Sequence, residues 1–203
     1  MPRVRLRGRI SMTRLRAKYF VALVTLMLLA AGTSSADSGY PEALRAHWKR
    51  ISDMFIQIVG AMPEDKFDFR PTKGYRSFRE LVMHAIEDNY THMGYVAGKS
   101  REESEKLGAK YKNIRTRAEM LDALEDGYAY GDMMLATLND QNGSEVVTAM
   151  RGQKTTRAGA ALQAFEDTMD HYGNAVIYLR LNGIVPPETA NRTKRPGQEQ
   201  DHH

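Results

Sequence analysis

The chain has 203 residues, no cysteine, 42% hydrophobic and 27% charged residues, and a formal net charge of +4. That length fits one domain or at most a small pair, and that composition is globular, which excludes a fully disordered or collagen-like chain. The lack of cysteine excludes disulfides, iron–sulfur ligation, thiolate zinc sites, a cysteine nucleophile and a lipidated cysteine anchor within this chain.

The positive charge is concentrated at the start. Residues 1–36 hold Arg3, Arg5, Arg7, Arg9, Arg14, Arg16 and Lys18 and no acid, so of 29 basic and 25 acidic residues in all, 22 basic and 25 acidic remain in 37–203. A body with net negative charge offers phosphate backbones no overall attraction, so nucleic acid is not an expected partner. After the basic run comes Phe20 to Ala31, an apolar stretch of about twelve residues, short of the roughly 20 that span a bilayer. Ser34-Ser35-Ala36 then puts small side chains at both positions that a signal peptidase reads before Asp37. This order of charge, apolar core and small residues predicts a signal peptide over 1–36, general secretion, and a periplasmic or secreted body with no membrane span after cleavage. Met12 is an alternative start that keeps Arg14, Arg16 and Lys18, and an uncleaved anchor is the alternative to cleavage.

The body reads as four helices. Residues 41–61 open at Pro41, which suits a first turn, and carry Leu44, Trp48, Ile51, Phe55, Ile58 and Val59 at steps of three and four. Met62-Pro63 ends this helix, and a long connector follows over 63–76, whose Phe67, Phe69 and Tyr75 are expected to pack on the domain. Ser77 with Glu80 is a capping-box pattern opening a helix from Phe78 to Ala97, with Leu81, Ala85, His92 and Val96 on one stripe. Thr116 with Glu119 repeats that pattern and opens a third helix through Leu138, in which Gly127 and Gly131 imply close packing. Residues 139–153 are polar and turn-rich. Thr155 or Thr156 then opens the longest helix, which runs to Leu181 before Asn182-Gly183 and Pro186-Pro187 stop it. No strand alternation stands out, and 188–203 reads as a disordered polar tail. The expected fold is all-α: a four-helix up-down bundle over 37–187 with a long connector between its first two helices.

Chemistry is sparse. The chain has no phosphate-cradling glycine loop, no serine nucleophile elbow and no His-Glu-x-x-His zinc helix. What stands out are histidines on or near apolar faces. Asp167 and His171 lie four apart, one turn from each other on one face of the last helix, and His84 falls at the edge of the buried stripe of the second. Two helices that each present imidazole inward can form a bundle-core metal site, and two histidines with one carboxylate leave positions open for water or substrate. Imidazole and carboxylate suit zinc, nickel, iron or manganese, so the donors do not choose among these divalent metals.

Two segments carry a resemblance. Met62-Pro-Glu-Asp-Lys-Phe-Asp-Phe-Arg-Pro-Thr-Lys-Gly-Tyr-Arg-Ser-Phe-Arg-Glu-Leu-Val-Met-His84 and Asp170-His-Tyr-Gly-Asn-Ala-Val-Ile-Tyr-Leu-Arg-Leu-Asn-Gly-Ile-Val-Pro-Pro187 together resemble the DinB-like family of four-helix proteins, which is distinct from the DNA polymerase of that name. The resemblance covers most of 40–188. It implies a metal held by one histidine of the second helix, matching His84, and by two ligands four apart on the last helix, matching Asp167 and His171. Histidine is the commoner residue at the Asp167 position, and the related mycothiol-dependent maleylpyruvate isomerases carry glutamate there. The resemblance thus implies a divalent-metal-dependent hydrolase or thiol-transferase acting on a small molecule. Asp88, one turn from His84, either orients an imidazole or makes a surface or capping hydrogen bond, and Arg70, Tyr75 and Arg76 either meet an anionic substrate or supply surface charge and packing. The alternative is a metal-free binding or structural bundle whose site has decayed at Asp167, presenting a pocket or a homodimer surface.

Overall fold

A computed structural model of the chain describes residues 39–193. The expected signal peptide and the end of the polar tail lie outside the described residues. Four long helices form the bundle: α1 (Tyr40–Ala61), α2 (Phe78–Val96), α4 (Arg117–Leu135) and α5 (Arg157–Leu181). Two short helices are added, α3 (Arg101–Gly108) and α6 (Pro187–Thr193), with a small antiparallel hairpin, β1 (Val146–Thr148) and β2 (Lys154–Thr156). Local chemistry fixes the helix starts. Ser77 and Thr116 each close a full capping box, with Glu80 and Glu119 respectively, and the Thr156 side chain accepts from the Gly159 amide to open α5.

The helices do not pack in chain order. α1 lies against α4 and α5, and α2 lies against α4 and α5, so α1 and α2 are not principal neighbours. The long connector carries the chain between them. It is tied down by Phe67, which is fully buried against Phe78, and by Phe69, whose ring meets Tyr178 edge-on at 6.2 Å. Tyr75 departs from the expectation that it packs: it is exposed. The interior is filled by Trp48 and Phe55 of α1, Val82, Ile86 and Met93 of α2, Leu124 of α4 and Leu179 of α5.

Three parts of the fold differ from the reading of the sequence. Residues 89–96 of α2 are buried on every side rather than along one stripe, because α3 packs on α2 and covers its outer face. Residues 146–156 form the hairpin, whose three-residue strands are too short to show alternation. The segment expected as disordered from 188 begins with α6, which packs on α1.

Gly131 shows why glycine interrupts α4. A Cβ there would lie 2.6 Å from Trp48 Nε1 and 2.7 Å from two further indole atoms. That indole is rigid, 1% exposed, and held by its N–H donating to the Tyr128 carbonyl at 3.0 Å. Gly131→Ala therefore destabilises the protein by about 1–3 kcal/mol despite alanine's better helix propensity, because overpacking outweighs it. Urea unfolding checks this, and an equally stable or more stable variant would show that the indole can yield.

Candidate metal centre

The extensive α2–α5 contact brings the site together. On α2, His84, Asp88 and His92 follow at intervals of four, which places them along one side of the helix. On α5, Asp167 and His171 do the same. Thr168 Oγ1 meets Asn89 Oδ1 at 3.4 Å within the buried seam and fixes the two helices in register.

The side chains interleave. His84 Nε2 lies 3.1 Å from Asp88 Oδ2, and His171 Nε2 lies 3.4 Å from the same oxygen. His171 Nε2 also lies 3.3 Å from Asp167 Oδ2, while the other oxygen of Asp167 faces His92 Nε2 at 3.9 Å. The His84 and His171 rings meet edge to face with centroids 5.1 Å apart. His171 is buried, and His84, Asp88 and Asp167 are partly so. One donor atom from each of His84, Asp88 and His171 lies within 4.8 Å of the others, a grouping in which a metal ion can be held.

Of the three residues read from spacing, the structure therefore brings His84 and His171 to one point, while Asp88 completes the three-residue group. Asp167 touches the same His171 nitrogen but is not within that group. The sequence placed Asp88 only as an orienting acceptor; its spacing of four from His84 was visible, whereas its reach to α5 is a tertiary contact.

The donor spacing fits a small cation. Ligands at about 2.0–2.2 Å from a zinc-like ion in tetrahedral or octahedral array stand roughly 3.0–3.5 Å from one another. The two contacts of Asp88 Oδ2, 3.1 Å to His84 and 3.4 Å to His171, fall in that range, as does the 3.3 Å from Asp167 to His171. His171 Nδ1 is buried without a hydrogen-bond partner, which leaves its Nε2 as the imidazole's polar contact.

The electrostatics are those of imidazole between carboxylates. Burial alone would lower the His171 pKa, but Asp167 and Asp88 together raise it to about 9. His84 shifts the other way: burial lowers it, Arg76 adds to the effect, and Asp88 opposes it. Burial would raise Asp167, yet its bond to His171 and the nearby imidazoles hold it below its ordinary value.

Two openings reach the histidines. A cavity of about 320 Å³ touches His84 and Asp88 and is rimmed by Arg101, Lys112 and Met150. A smaller one of about 180 Å³ touches His171 and is lined by Tyr75, Arg76, Asn174 and Tyr178. Of the connector residues read as anion binders, Arg70 is engaged by Glu80 in a bidentate pair at 2.6 Å, leaving Arg76 beside the site. Tyr178 donates to the Arg76 carbonyl at 2.5 Å and so anchors the connector over His171.

No family model matches the chain, and no curated protein is significantly similar to it. Solved structures are. A DinB-like protein from Bacillus subtilis superposes with a TM-score of 0.57 at 16% identity, over 70% of this chain and 92% of that one. A DinB-like protein from Bacillus cereus gives 0.60 at 10% identity, over 72% and 95%. A mycothiol-dependent maleylpyruvate isomerase gives 0.51 at 14% identity, over 75% and 67%. The chain thus has the DinB-like helical fold, the fold that the two sequence segments imply.

Proposed function

We propose that this chain is an exported, divalent-metal-dependent enzyme of hydrolase or thiol-transferase type. Its metal would be held by His84 and His171 with carboxylates from Asp88 and Asp167. The observation that carries this reading is the convergence of donor atoms of His84, Asp88 and His171 within 4.8 Å in the α2–α5 seam. Likeness of fold to a mycothiol-dependent isomerase is consistent with thiol chemistry, and the N-terminal pattern over 1–36 with export.

A cation held there supplies a Lewis acid that activates water or a thiol. The chain's own residues do the rest. Asp88 and Asp167 offset the cation's charge and orient the imidazoles. Asp88 Oδ2, shared by His84 and His171, is placed to complete the ligand set at the edge of the larger cavity. Arg101 and Lys112 on one side and Arg76 on the other favour a small substrate bearing an acidic or polarised group.

Elemental analysis of the chain purified without an affinity tag tests this, with a parallel sample lacking His202 and His203. About one equivalent of a transition metal is expected, retained without the terminal histidines and lost in His84→Ala. A folded protein that takes up no metal from zinc-, nickel-, iron- or manganese-supplemented medium sinks the reading. A second reading, a metal-free binding bundle, is favoured by one observation: His171 already contacts both carboxylates, so its imidazolium offsets part of their charge without a cation.

A further inference from the structure

His92 lies two turns beyond His84 on α2 and is 8% exposed. Its ring is packed edge-on against Tyr95, with centroids 6.1 Å apart, and Tyr95 is itself 1% exposed. Its Nδ1 is buried with no hydrogen-bond partner. A buried imidazole without partners is unfavourable, so its remaining nitrogen is where a reason for the residue must be sought. That nitrogen, Nε2, faces Asp167 Oδ1 at 3.9 Å, and the other oxygen of the same carboxylate touches His171 Nε2 at 3.3 Å. One carboxylate therefore lies between two imidazoles, one inside the candidate centre and one behind it.

We propose that His92 is a positioning residue for the metal centre, holding Asp167 by its outer oxygen so that the inner oxygen is presented beside His171. The inference rests on the metal-binding reading above and deepens it, because it gives Asp167 a defined orientation toward a group that His84, Asp88 and His171 form without it. Aspartate is short, and a carboxylate free to turn about its last torsion would present either oxygen or neither. A donor fixed by Tyr95 on the far side removes that freedom. The gap of 3.9 Å is longer than the about 2.7–3.2 Å of a hydrogen bond, so the positioning role requires the pair to close when the centre is filled. Supports of this kind contribute about 10–100-fold to metal affinity when tested elsewhere.

The test uses Co(II) as probe, read by its visible absorption and by a binding titration on the full chain. His92→Phe keeps the ring shape and removes the donor. It is expected to weaken Co(II) binding about 10–100-fold and to alter the visible band, with cooperative unfolding preserved. His92→Gln, whose amide nitrogen stands where Nε2 stands, is expected to restore most of the affinity and the band. His92→Asn, polar but too short, is expected to behave like phenylalanine and serves in its place if phenylalanine is not accommodated. In an Asp167→Ala background, His92→Phe should add no further loss.

Wild-type affinity and band in a folded His92→Phe or His92→Asn protein overturn the positioning role alone. So do losses from His92→Phe and Asp167→Ala that multiply. A wild-type chain that takes up no Co(II) overturns the metal reading itself, and this inference with it.

Discussion

His171→Ala is expected to abolish metal binding and to destabilise the bundle as well. His171 Nε2 contacts both carboxylates, 3.4 Å from Asp88 and 3.3 Å from Asp167. Removing it deletes a ligand, so the affinity for zinc should fall by more than the about 10–100-fold that loss of an outer hydrogen-bond partner causes. It also leaves two part-buried carboxylates facing a seam that has lost their shared cation. Breaking a buried ion pair from one side costs about 3–5 kcal/mol, and the partial exposure of Asp88 and Asp167 puts this case at the lower end, about 3 kcal/mol. Two companions separate the effects. His84→Ala removes a ligand that is less buried, at 31% side-chain exposure, and should lose metal with little change in stability. His171→Gln keeps an amide donor toward the carboxylates, so it should recover part of the stability and none of the zinc affinity. Zinc titration and urea unfolding measure the two quantities. A His171→Gln protein that binds zinc as wild type does would remove His171 from the centre.

The separation of ligand from scaffold also explains which parts of this molecule were legible beforehand. Helix starts are local chemistry. Ser77 with Glu80 and Thr116 with Glu119 are three residues apart, and each pair closes the box its sequence implies. The inward side of a helix is likewise periodic, so His171 falls where Ala164, Ala175 and Tyr178 are buried. The same capping signal stood at Ser100 with Glu103, and it does open α3. A helix reading Arg-Glu-Glu-Ser-Glu-Lys-Leu-Gly has no apolar stripe, so periodicity does not reveal it.

What periodicity cannot supply is which helix faces which. Nothing in the connector states that α1 packs on α4 and α5 instead of α2. For the same reason Asp88 reads as an accessory of His84, four residues away on its own helix, and not as the carboxylate between His84 and His171. His92 was visible only as a member of a buried stripe. Its relation to Asp167 exists because α5 lies alongside α2 in one register, set by packing such as Thr168 on Asn89.

In the metal-free state the bundle should lose stability as pH rises from neutrality, and the metal-loaded state should not. The sign follows from His171, whose pKa is raised from 6.5 to about 9 by Asp167 and Asp88 against the opposing effect of burial. A group whose folded pKa is raised stabilises fully below its unfolded value, and that contribution fades as pH climbs through the folded one. The window is therefore pH 6.5 to about 9. Each pKa unit corresponds to about 1.4 kcal/mol, so a loss on the order of a few kcal/mol is expected across it. The acid side slopes the other way. His84 is lowered, chiefly by burial, so protonating it opposes the folded state, and Asp167, held low by His171, withdraws its contribution when it is protonated. The apoprotein is thus most stable near neutrality. Metal binding requires the neutral imidazole and must displace the same proton, so metal affinity should rise with pH through that window while apoprotein stability falls. Urea unfolding at pH 6.5 and 9, in chelator and with saturating zinc, checks both slopes. His171→Gln is the control, since it should flatten the alkaline slope of the apoprotein. If the slope persists in that variant, the alkaline loss belongs to another group, and the carboxylate–imidazole ladder does not hold the proton assigned to it.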